Sequence, residues 1–192
     1  MLKTNKPLVL ASSSASRKML LKRLQMDFSC ISPNIDESPR KGESNQETCQ
    51  RLAIEKAQAV TAAAPDHLII SSDQIAVCEN TVLHKPLSKD KAIEQLQFQS
   101  GKQTQFYTSL CLFNSKKNDY QLGMETYTAS FRQLSIEEIE RYIDLDDPLH
   151  CAGSFKSESA GICLFTQLKG NDPTALVGLP LIMLTRFLRN AV

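Results

Sequence analysis

Two spacings of apolar residues alternate along the first part of the chain. The apolar run Leu8–Ala11 predicts a short buried strand, and the leucines of residues 17–24, at helical spacing, predict the helix that follows. Residues 28–32 predict a second strand and residues 46–63 a long helix. The polar residues 33–45 between them include two prolines and a glycine, which favours a loop.

A block of polar residues interrupts the next apolar stretch. Residues 68–70 and 75–77 are apolar and together predict a strand, yet the sequence Ser-Ser-Asp-Gln stands between them at residues 71–74. Polar side chains inside an otherwise apolar strand are costly unless they find partners. The block therefore marks a place where the strand either satisfies polar groups or carries out chemistry.

Capping and turn signals define the second half of the chain. Ser88 predicts the start of a helix through residue 98, which Gly101 ends, and Ser135 with Glu138 predicts a capping box for a helix through residue 143. The other predicted elements are strands at 104–113 and 127–132 joined by a polar connection at 114–119, a strand at 161–165 and a terminal helix at 179–188. Alternating strands and helices with an antiparallel pair in the middle favour a mixed α/β class.

Composition and charge limit what the chain can bind. The 192 residues are 42% hydrophobic and 22% charged, as in soluble globular proteins, and their number suits a single domain. A net charge of +1 without a basic stripe argues against a nucleic-acid partner, which would require many phosphate contacts. Any anionic ligand is therefore expected to be small and bound locally.

The cysteines and the apolar runs favour a cytoplasmic protein without a membrane partner. Six cysteines are widely spaced and lack a Cys-x-x-Cys pair, which favours reduced thiols over disulfides or zinc. The apolar run near the N-terminus has four residues, whereas a signal peptide needs about 7 to 15. The apolar stretch at 177–184 is well short of the roughly 20 residues of a membrane span.

A serine-rich turn joins the first strand to the first helix. Backbone N–H groups at the helix start, the hydroxyls of Ser12 and Ser14 and the guanidinium of Arg17 would all suit phosphate oxygens. The alternative is that Ser14 only caps the helix and Arg17 is solvated. Both interpretations are open for the turn taken alone.

Charged residues in apolar surroundings are the next candidates for chemistry. Asp73 lies in the interrupted strand, where it is expected to pair with a cation, to hold a metal or to act as a general base. Lys56 lies in the apolar stripe of its helix, where its stem either snorkels or presents a compact positive charge to a phosphate site. Asp36 and Glu37, adjacent in the loop, are either simply solvated or part of the same chemistry.

Residues 151–158 contain the parts of a purine site. Gly153 permits close approach of a ligand, Phe155 can stack on a flat ring, and Glu158 can accept two N–H donors from one edge of a guanine. Each residue also has an ordinary structural explanation, and Phe155 could equally be a core residue.

Seven motifs follow one another along the chain and carry a family resemblance. In chain order they are L-A-S-S-S-x-S-R from residue 10, D-E-S-P from 36, R-L-A-x-E-K-A from 51, S-D-Q from 72, K-P-L from 85, F-Y-T-S-L from 106 and H-C-A-G-S-F-K-S-E from 150. The series resembles the Maf family of nucleotide pyrophosphatases, and the last motif resembles its YceF-like branch, which acts on 7-methyl-GTP. The resemblance implies a Maf or inosine-triphosphatase-like α/β fold, with an elongated mixed sheet flanked by helices. It further implies one domain of two lobes around a central cleft.

The resemblance also implies roles for individual residues. The implied catalytic residues are Asp73 as the proton acceptor, with Glu37, Lys56 and Lys85. Together with the candidates above, the expected substrate-binding and specificity residues are Ser12, Ser14, Ser16, Arg17, Gln74, Phe155 and Glu158. Glu37 and Asp73 are expected to hold a divalent cation, for which Mg²⁺ is the natural choice. Ser16 stands where the branch often has a tryptophan, so that ring is missing from base recognition.

The activity that the resemblance implies is hydrolysis of the α–β phosphoanhydride bond of a small nucleotide. The expected substrate is 7-methyl-GTP, the products are 7-methyl-GMP and pyrophosphate, and the purpose is to clear modified nucleotides. A dTTP and UTP pyrophosphatase of the sister branch is one alternative, which Ser16 allows. A nucleotide-binding regulator of cell division is another, although binding alone would not require a general base. The family likeness is also compatible with a homodimer.

Overall fold

The structure is a computed structural model that describes residues 4–191 of the chain. In this part of the chain seven strands, β1 to β7 in order, are Leu8–Ala11, Phe28–Ile31, Leu68–Cys78, Thr81–Leu83, Gln103–Asn114, Asp119–Phe131 and Phe165–Lys169. The same residues form six α-helices, α1 to α6, which are Ala15–Lys22, Asn45–Gln58, Lys89–Gln99, Ile136–Asp146, Pro173–Leu176 and Leu181–Asn190. Short 3₁₀ helices are present at Thr61–Ala63 and Ala160–Leu164.

The strands form a mixed sheet. Among the described residues its order is β2-β1-β3-β5-β6-β7, and β4 pairs with β3. β1 runs parallel to both β2 and β3, whereas β4 is antiparallel to β3 and β7 is antiparallel to β6. Parallel strands need crossover connections: α1 connects β1 to its neighbour β2, and α2 connects β2 to β3, which lies on the other side of β1. The predicted mixed α/β class is therefore confirmed.

The internal contacts divide the chain into two compact units. The first contains the chain through Gln74, Thr108–Glu125 and the chain from Asp172 onward, and the second contains Ile75–Tyr107 and Thr126–Asn171. The organisation as one domain with two lobes stays a prediction.

The core of the first unit is built on both faces of β1. Leu8 and Leu10 belong to one cluster, together with leucines of α1 and α6, and Val9 and Ala11 belong to a second cluster with alanines of α2. Successive strand residues point to opposite faces, so helices cover β1 on both sides and its polar continuation begins directly at Ser12. Leu10 pairs with Ile70 of the parallel strand β3, which brings the serine turn and the polar block 71–74 to the same end of the two strands.

Most element predictions for the described residues are confirmed. β1 has the predicted bounds, and the Ser135–Glu138 capping box is formed, with Glu138 Nα donating to Ser135 Oγ at 3.3 Å and Ser135 Nα donating to Glu138 Oε2 at 3.0 Å. The helix predicted from Ser88 through residue 98 is α3, which ends one residue later at Gln99, and Gly101, at φ +72°, follows it as a left-handed stop.

The strand predicted at residues 161–165 is wrong. These residues form the 3₁₀ helix Ala160–Leu164, and β7 begins only at Phe165. Gly161 lies so close to the preceding chain that a Cβ on it would meet the Lys156 carbonyl oxygen at 2.3 Å, and its N–H donates to Asp146 Oδ2 at 3.1 Å. These contacts hold an apolar segment in a tight helical turn, which its local sequence does not indicate.

β6 starts eight residues before the predicted strand. Residues 119–126 have no long apolar run, yet they pair as a strand from Asp119 onward. Gly123 leaves room for the neighbouring helix, because a Cβ there would meet Met183 Sδ at 2.5 Å and Phe187 Cζ at 3.1 Å. The short helix Pro173–Leu176 was also not predicted.

Within the described residues, no helix is both long and apolar enough to cross a membrane.

Candidate active site

The serine turn caps helix α1. Ser14 is the N-cap residue, and its Oγ accepts a hydrogen bond from Arg17 Nα at 3.3 Å. Ser12 is buried, and its Oγ accepts from Ser14 Nα at 3.1 Å. The helix cap by Ser14 is therefore confirmed, while a contribution of the turn to phosphate binding stays a prediction. Ser16, one residue before Arg17, is half-buried.

Arg17 is directed into the first unit rather than simply solvated. It is half-buried, and its Nε donates to the Gly178 carbonyl oxygen at 2.9 Å. Burial lowers the pKa of Arg17, while the charges of Asp73 and Glu37 act in the opposite direction, so the guanidinium is within electrostatic range of both carboxylates. Gly178 has φ +108°, and a Cβ on it would lie 3.4 Å from Arg17 Nε. The positive φ, rather than a shortage of space beside Arg17, therefore favours glycine at this position.

Lys56 connects the two carboxylates that the sequence singled out. Its Nζ lies 2.6 Å from Asp73 Oδ1 and 2.9 Å from Glu37 Oε1. Lys56 and Asp73 are only 5% and 6% exposed, whereas the Glu37 side chain is 59% exposed. The prediction that Asp73 is buried is confirmed, as is the inward direction of Lys56. The result is a buried ion pair whose lysine also contacts a second, accessible carboxylate.

The rest of the polar block has structural partners. Ser71 Oγ donates to the Ala53 carbonyl oxygen of α2, and Ser72 Oγ donates to the carbonyl oxygens of Ser109 at 2.7 Å and Gly178 at 2.9 Å. The interruption of the apolar strand is thus explained by side chains that tie β3 to its neighbours. Ser72 and Arg17 donate to the same Gly178 carbonyl, which links the strand to the arginine.

The side-chain amide of Gln74 donates hydrogen bonds within the first unit. Its Nε2 donates to Thr108 Oγ1 at 2.9 Å and to the carbonyl oxygens of Ala175 at 2.9 Å and Leu176 at 3.2 Å. These bonds hold the segment that leads to Gly178. A direct role of Gln74 in base selection stays a prediction, and the positioning role was not foreseen.

Two further residues missed by the sequence analysis contact the backbone of Asp73 or support that contact. Cys49 Sγ donates to the Asp73 carbonyl oxygen at 3.3 Å, and Ser109 Oγ donates to the Cys49 carbonyl oxygen at 2.6 Å. Burial raises the pKa of Cys49 to about 11, so its thiol is protonated and serves as a donor. The F-Y-T-S-L motif contains Ser109 and was the only available signal for this support.

Lys85 and Glu158 belong to the second unit. Both side chains are exposed, and both act on the thiol of Cys151, whose pKa is raised mainly by burial, lowered by Lys85 and raised by Glu158. The two predicted residues thus share one electrostatic environment. Their roles toward a substrate stay predictions.

Phe155 is a core residue of the second unit. It is 5% exposed, and its ring makes edge-on contacts with the rings of Phe106, Phe131 and Phe165 at centroid distances of 5.3, 5.7 and 4.9 Å. Gly153, at φ +77°, packs against the same group. The expectation that Phe155 stacks on a base is therefore corrected, because its ring is buried among these aromatic side chains.

The carboxylates fit an open type of metal site. Among the described residues no group of three or more His, Cys, Asp or Glu side chains could hold an ion. Mg²⁺, however, commonly takes one or two carboxylates together with waters and substrate phosphates. The contacts with Lys56 use Oε1 of Glu37 and Oδ1 of Asp73, so the second oxygen of each carboxylate lies outside them. The donor chemistry of this pair therefore suits Mg²⁺ held jointly with a phosphate ligand.

Comparisons with curated proteins identify close relatives. The chain is 50% identical over 184 residues to the 7-methyl-GTP pyrophosphatase of Colwellia psychrerythraea (strain 34H / ATCC BAA-681), which covers 96% of this chain and 92% of that protein. It is 48% identical over 185 residues to the 7-methyl-GTP pyrophosphatase of Vibrio parahaemolyticus serotype O3:K6 (strain RIMD 2210633), with 96% and 95% covered.

Solved structures share the fold at low sequence identity. The Ham1 protein of Staphylococcus aureus matches with a TM-score of 0.52 at 17% identity, and a HAM1 protein from Coxiella burnetii with 0.51 at 12% identity. Each comparison covers 97% of this chain and 100% of the other. The model of the family described as Maf-like protein matches residues 7–191. With these matches and the ordered motifs, the chain belongs to the Maf family.

Proposed function

We propose that this protein is a nucleoside triphosphate pyrophosphatase that hydrolyses 7-methyl-GTP to 7-methyl-GMP and pyrophosphate. The observation that carries the chemistry is Lys56, which joins buried Asp73 to accessible Glu37 with Arg17 within electrostatic range. The substrate is supported by the two relatives named 7-methyl-GTP pyrophosphatase. The proposed role is to remove modified nucleotides.

The proposed reaction requires positioning, a proton acceptor and neutralisation of phosphate charge. Water attacks the α-phosphorus, the bond from that phosphorus to the α–β bridging oxygen breaks, and pyrophosphate leaves with that oxygen. Asp73 accepts the proton of the attacking water on a carboxylate lone pair that neither Lys56 Nζ nor the cation uses. Arg17 and the serine turn bind phosphate oxygens, and Lys56 offsets negative charge as the phosphates approach.

A divalent cation, for which we propose Mg²⁺, would be held by Glu37 and Asp73. When bound, it would supply further charge neutralisation at the phosphates and orient them. Glu37 is suited to this part because its side chain is exposed to an incoming phosphate–cation complex. Lys56 holds the two carboxylates together before the complex arrives.

The proposed roles of Lys85 and Glu158 rest on the family resemblance. Lys85 would bind a phosphate of the substrate, and Glu158 would accept hydrogen bonds from the guanine edge. The 7-methyl group gives the purine a formal positive charge, which favours a nearby carboxylate. Both side chains are exposed and therefore available to a ligand.

Replacing Glu158 by Gln is expected to affect one substrate selectively. Glu158→Gln should reduce kcat/KM on 7-methyl-GTP by about 10-fold or more, since one charge-assisted hydrogen bond contributes about 1.5–3 kcal/mol. Activity on UTP should change by less than about 2-fold, because the pyrimidine lacks the guanine edge. Steady-state kinetics on both substrates measures this, and Glu125→Gln, a half-buried glutamate of the first unit, is the control. Equal losses on the two substrates would contradict a role in base recognition.

A panel of nucleotides tests the function as a whole. With Mg²⁺, the protein should release pyrophosphate from 7-methyl-GTP with a kcat/KM at least about 10-fold above that for GTP, dTTP or UTP. A preference for dTTP and UTP would favour the sister-branch activity. Tight binding of a triphosphate without pyrophosphate release would instead favour a regulator.

The proposed location is the cytoplasm. Its support is the unbridged state of the described cysteines Cys30, Cys78, Cys111, Cys151 and Cys163, which suits a reducing compartment. A homodimer stays a prediction of the family resemblance.

A further inference from the structure

Arg51 is the centre of an ion-pair network between helix α2 and the loop before it. Its Nε and Nη2 bind Glu43 Oε1 and Oε2 at 2.6 and 2.9 Å, and its Nη1 binds Glu55 Oε2 at 2.9 Å. The Nη2 group also donates to the Ser38 carbonyl oxygen at 3.0 Å. The side chain is 13% exposed, so this bidentate geometry is formed at a largely covered position.

Arg51 contacts the loop at two places, the backbone of Ser38 and the side chain of Glu43. The loop joins β2 to α2 and carries Glu37, the residue directly before Ser38. Glu43, at the other end, accepts from Arg40 Nα at 2.9 Å and from Thr48 Oγ1 at 3.1 Å in addition to Arg51. One guanidinium therefore restrains the backbone next to Glu37 and the anchoring carboxylate at the end of the loop.

Helix α2 thereby contacts the loop at two points. Arg51 holds the backbone beside Glu37, and Lys56, on the same helix, lies 2.9 Å from Glu37 Oε1. Because Glu37 itself is exposed and makes its ion pair from a loop, its side-chain position depends on where that loop backbone is fixed. The Arg51 interactions supply this restraint without any contact between Arg51 and the Glu37 carboxylate in the network.

We propose that Arg51 is a positioning residue for the reaction, which acts by holding the loop of residues 36–43 so that Glu37 faces Lys56 and Asp73. The inference rests on the proposed function, in which Glu37 binds the cation–phosphate complex. Glu43 stays ionised under assay conditions, because the Arg51 guanidinium and the Arg40 backbone N–H lower the pKa of Glu43 to about 2. The pair of Arg51 and Glu43 is therefore charged at neutral pH.

The first test is a double-mutant cycle in the full-length protein. Arg51→Met should lower kcat on 7-methyl-GTP by about 10- to 100-fold, the range expected when a reacting group is displaced by roughly 1 Å. Glu37→Gln alone removes the group on which Arg51 acts. The double variant should therefore be no slower than Glu37→Gln by more than about 2-fold, since residues acting through one another are not additive.

Matched variants separate positioning from general stability. Arg132→Met removes an arginine of the second unit that pairs with Glu138 at 2.9 Å and donates to the Cys163 carbonyl, and it should leave kcat within about 2-fold. Glu43→Gln weakens the same network while keeping Arg51, and should reproduce part of the kcat loss even if Arg51→Met folds poorly. Arg51→Lys should recover little, because an ammonium cannot bind Glu43 in a bidentate manner.

Hydrogen exchange provides a measurement that does not depend on catalysis. Arg51→Met should accelerate amide exchange of residues 36–43 by at least about 10-fold, while exchange in β1 and β3 stays unchanged. The inference would be overturned if Arg51→Met left amide exchange in the loop unchanged or kept a normal kcat. It would also be overturned if the double variant lost kcat by the product of the two single-variant losses. If the unmodified protein releases no pyrophosphate from any nucleotide, the proposed function fails, and the exchange result alone decides whether Arg51 holds the loop.

Discussion

Replacing Asp73 by Asn is expected to abolish pyrophosphate release from 7-methyl-GTP, with a loss of at least about 10³-fold in kcat. A positioned general base typically contributes about 10²- to 10⁴-fold, and in our mechanism Asp73 is also a ligand of the cation. The amide of Asn cannot accept the proton of the attacking water. Single-turnover measurements with saturating Mg²⁺ would show the effect on the chemical step directly.

The fold should survive this change. Asn has nearly the same shape as Asp, and its carbonyl oxygen can still accept a hydrogen bond from Lys56 Nζ. The buried ammonium also keeps a counter-charge, because Glu37 Oε1 lies 2.9 Å from it. We expect a melting temperature close to that of the unmodified protein and an unchanged circular dichroism spectrum. Asp27→Asn, at an exposed position, is the control and should be fully active. Near-normal turnover in Asp73→Asn would remove Asp73 from the mechanism.

Replacing Lys56 by Met is expected to reduce both activity and stability. Removal of one partner of a buried ion pair typically costs about 3–5 kcal/mol, because it leaves an uncompensated charge. Here the uncompensated group would be Asp73, which is 6% exposed. For a chain of this size each kcal/mol lowers Tm by roughly 2–4 °C, so a decrease of about 6 °C or more is expected by calorimetry.

The activity loss should be separable from the stability loss. In Lys56→Met, kcat should fall by about 10²-fold or more, since a fixed charge that stabilises phosphate oxygens is missing. The double variant Lys56→Met with Asp73→Asn removes both charges and should regain most of the lost Tm, yet it should stay inactive. Lys22→Met, an exposed lysine at the end of α1, controls for the loss of a positive charge. An active Lys56→Met protein would contradict the charge-neutralising role, and a double variant no more stable than Lys56→Met would contradict the buried-pair explanation.

The parts of the fold that sequence patterns predicted are those decided by local interactions. The four apolar residues of β1 predicted its bounds, and the Ser135–Glu138 box predicted the start of α4, because both depend on neighbours within a few residues. The 3₁₀ helix Ala160–Leu164 could not be predicted in this way. It depends on close contact of Gly161 with Lys156 and on a hydrogen bond to Asp146, and the same apolar residues would suit a strand elsewhere.

The candidate site shows the same division. The position of Asp73 in an apolar strand and of Lys56 in an apolar helix stripe indicated that both were buried and chemically significant. Their 2.6 Å contact, however, required parallel pairing of β1 with β3 and packing of α2 on that sheet. For Phe155 the sequence pattern suggested a role in base binding that the structure does not support. The motif around it contains no sign of the three phenylalanine rings that pack against it in the fold.

By itself the sequence determined the α/β class, the family, and the types of side chain available for phosphate chemistry. Residue type and spacing carry this information because capping, periodicity and ordered motifs are local properties of the chain. Only the tertiary structure decided which groups act together. Arg17 reaches the carbonyl of Gly178, which is 161 residues away in the chain, and Gln74 supports the same segment. Such pairs depend on how distant segments pack, so no pattern within either segment contains them.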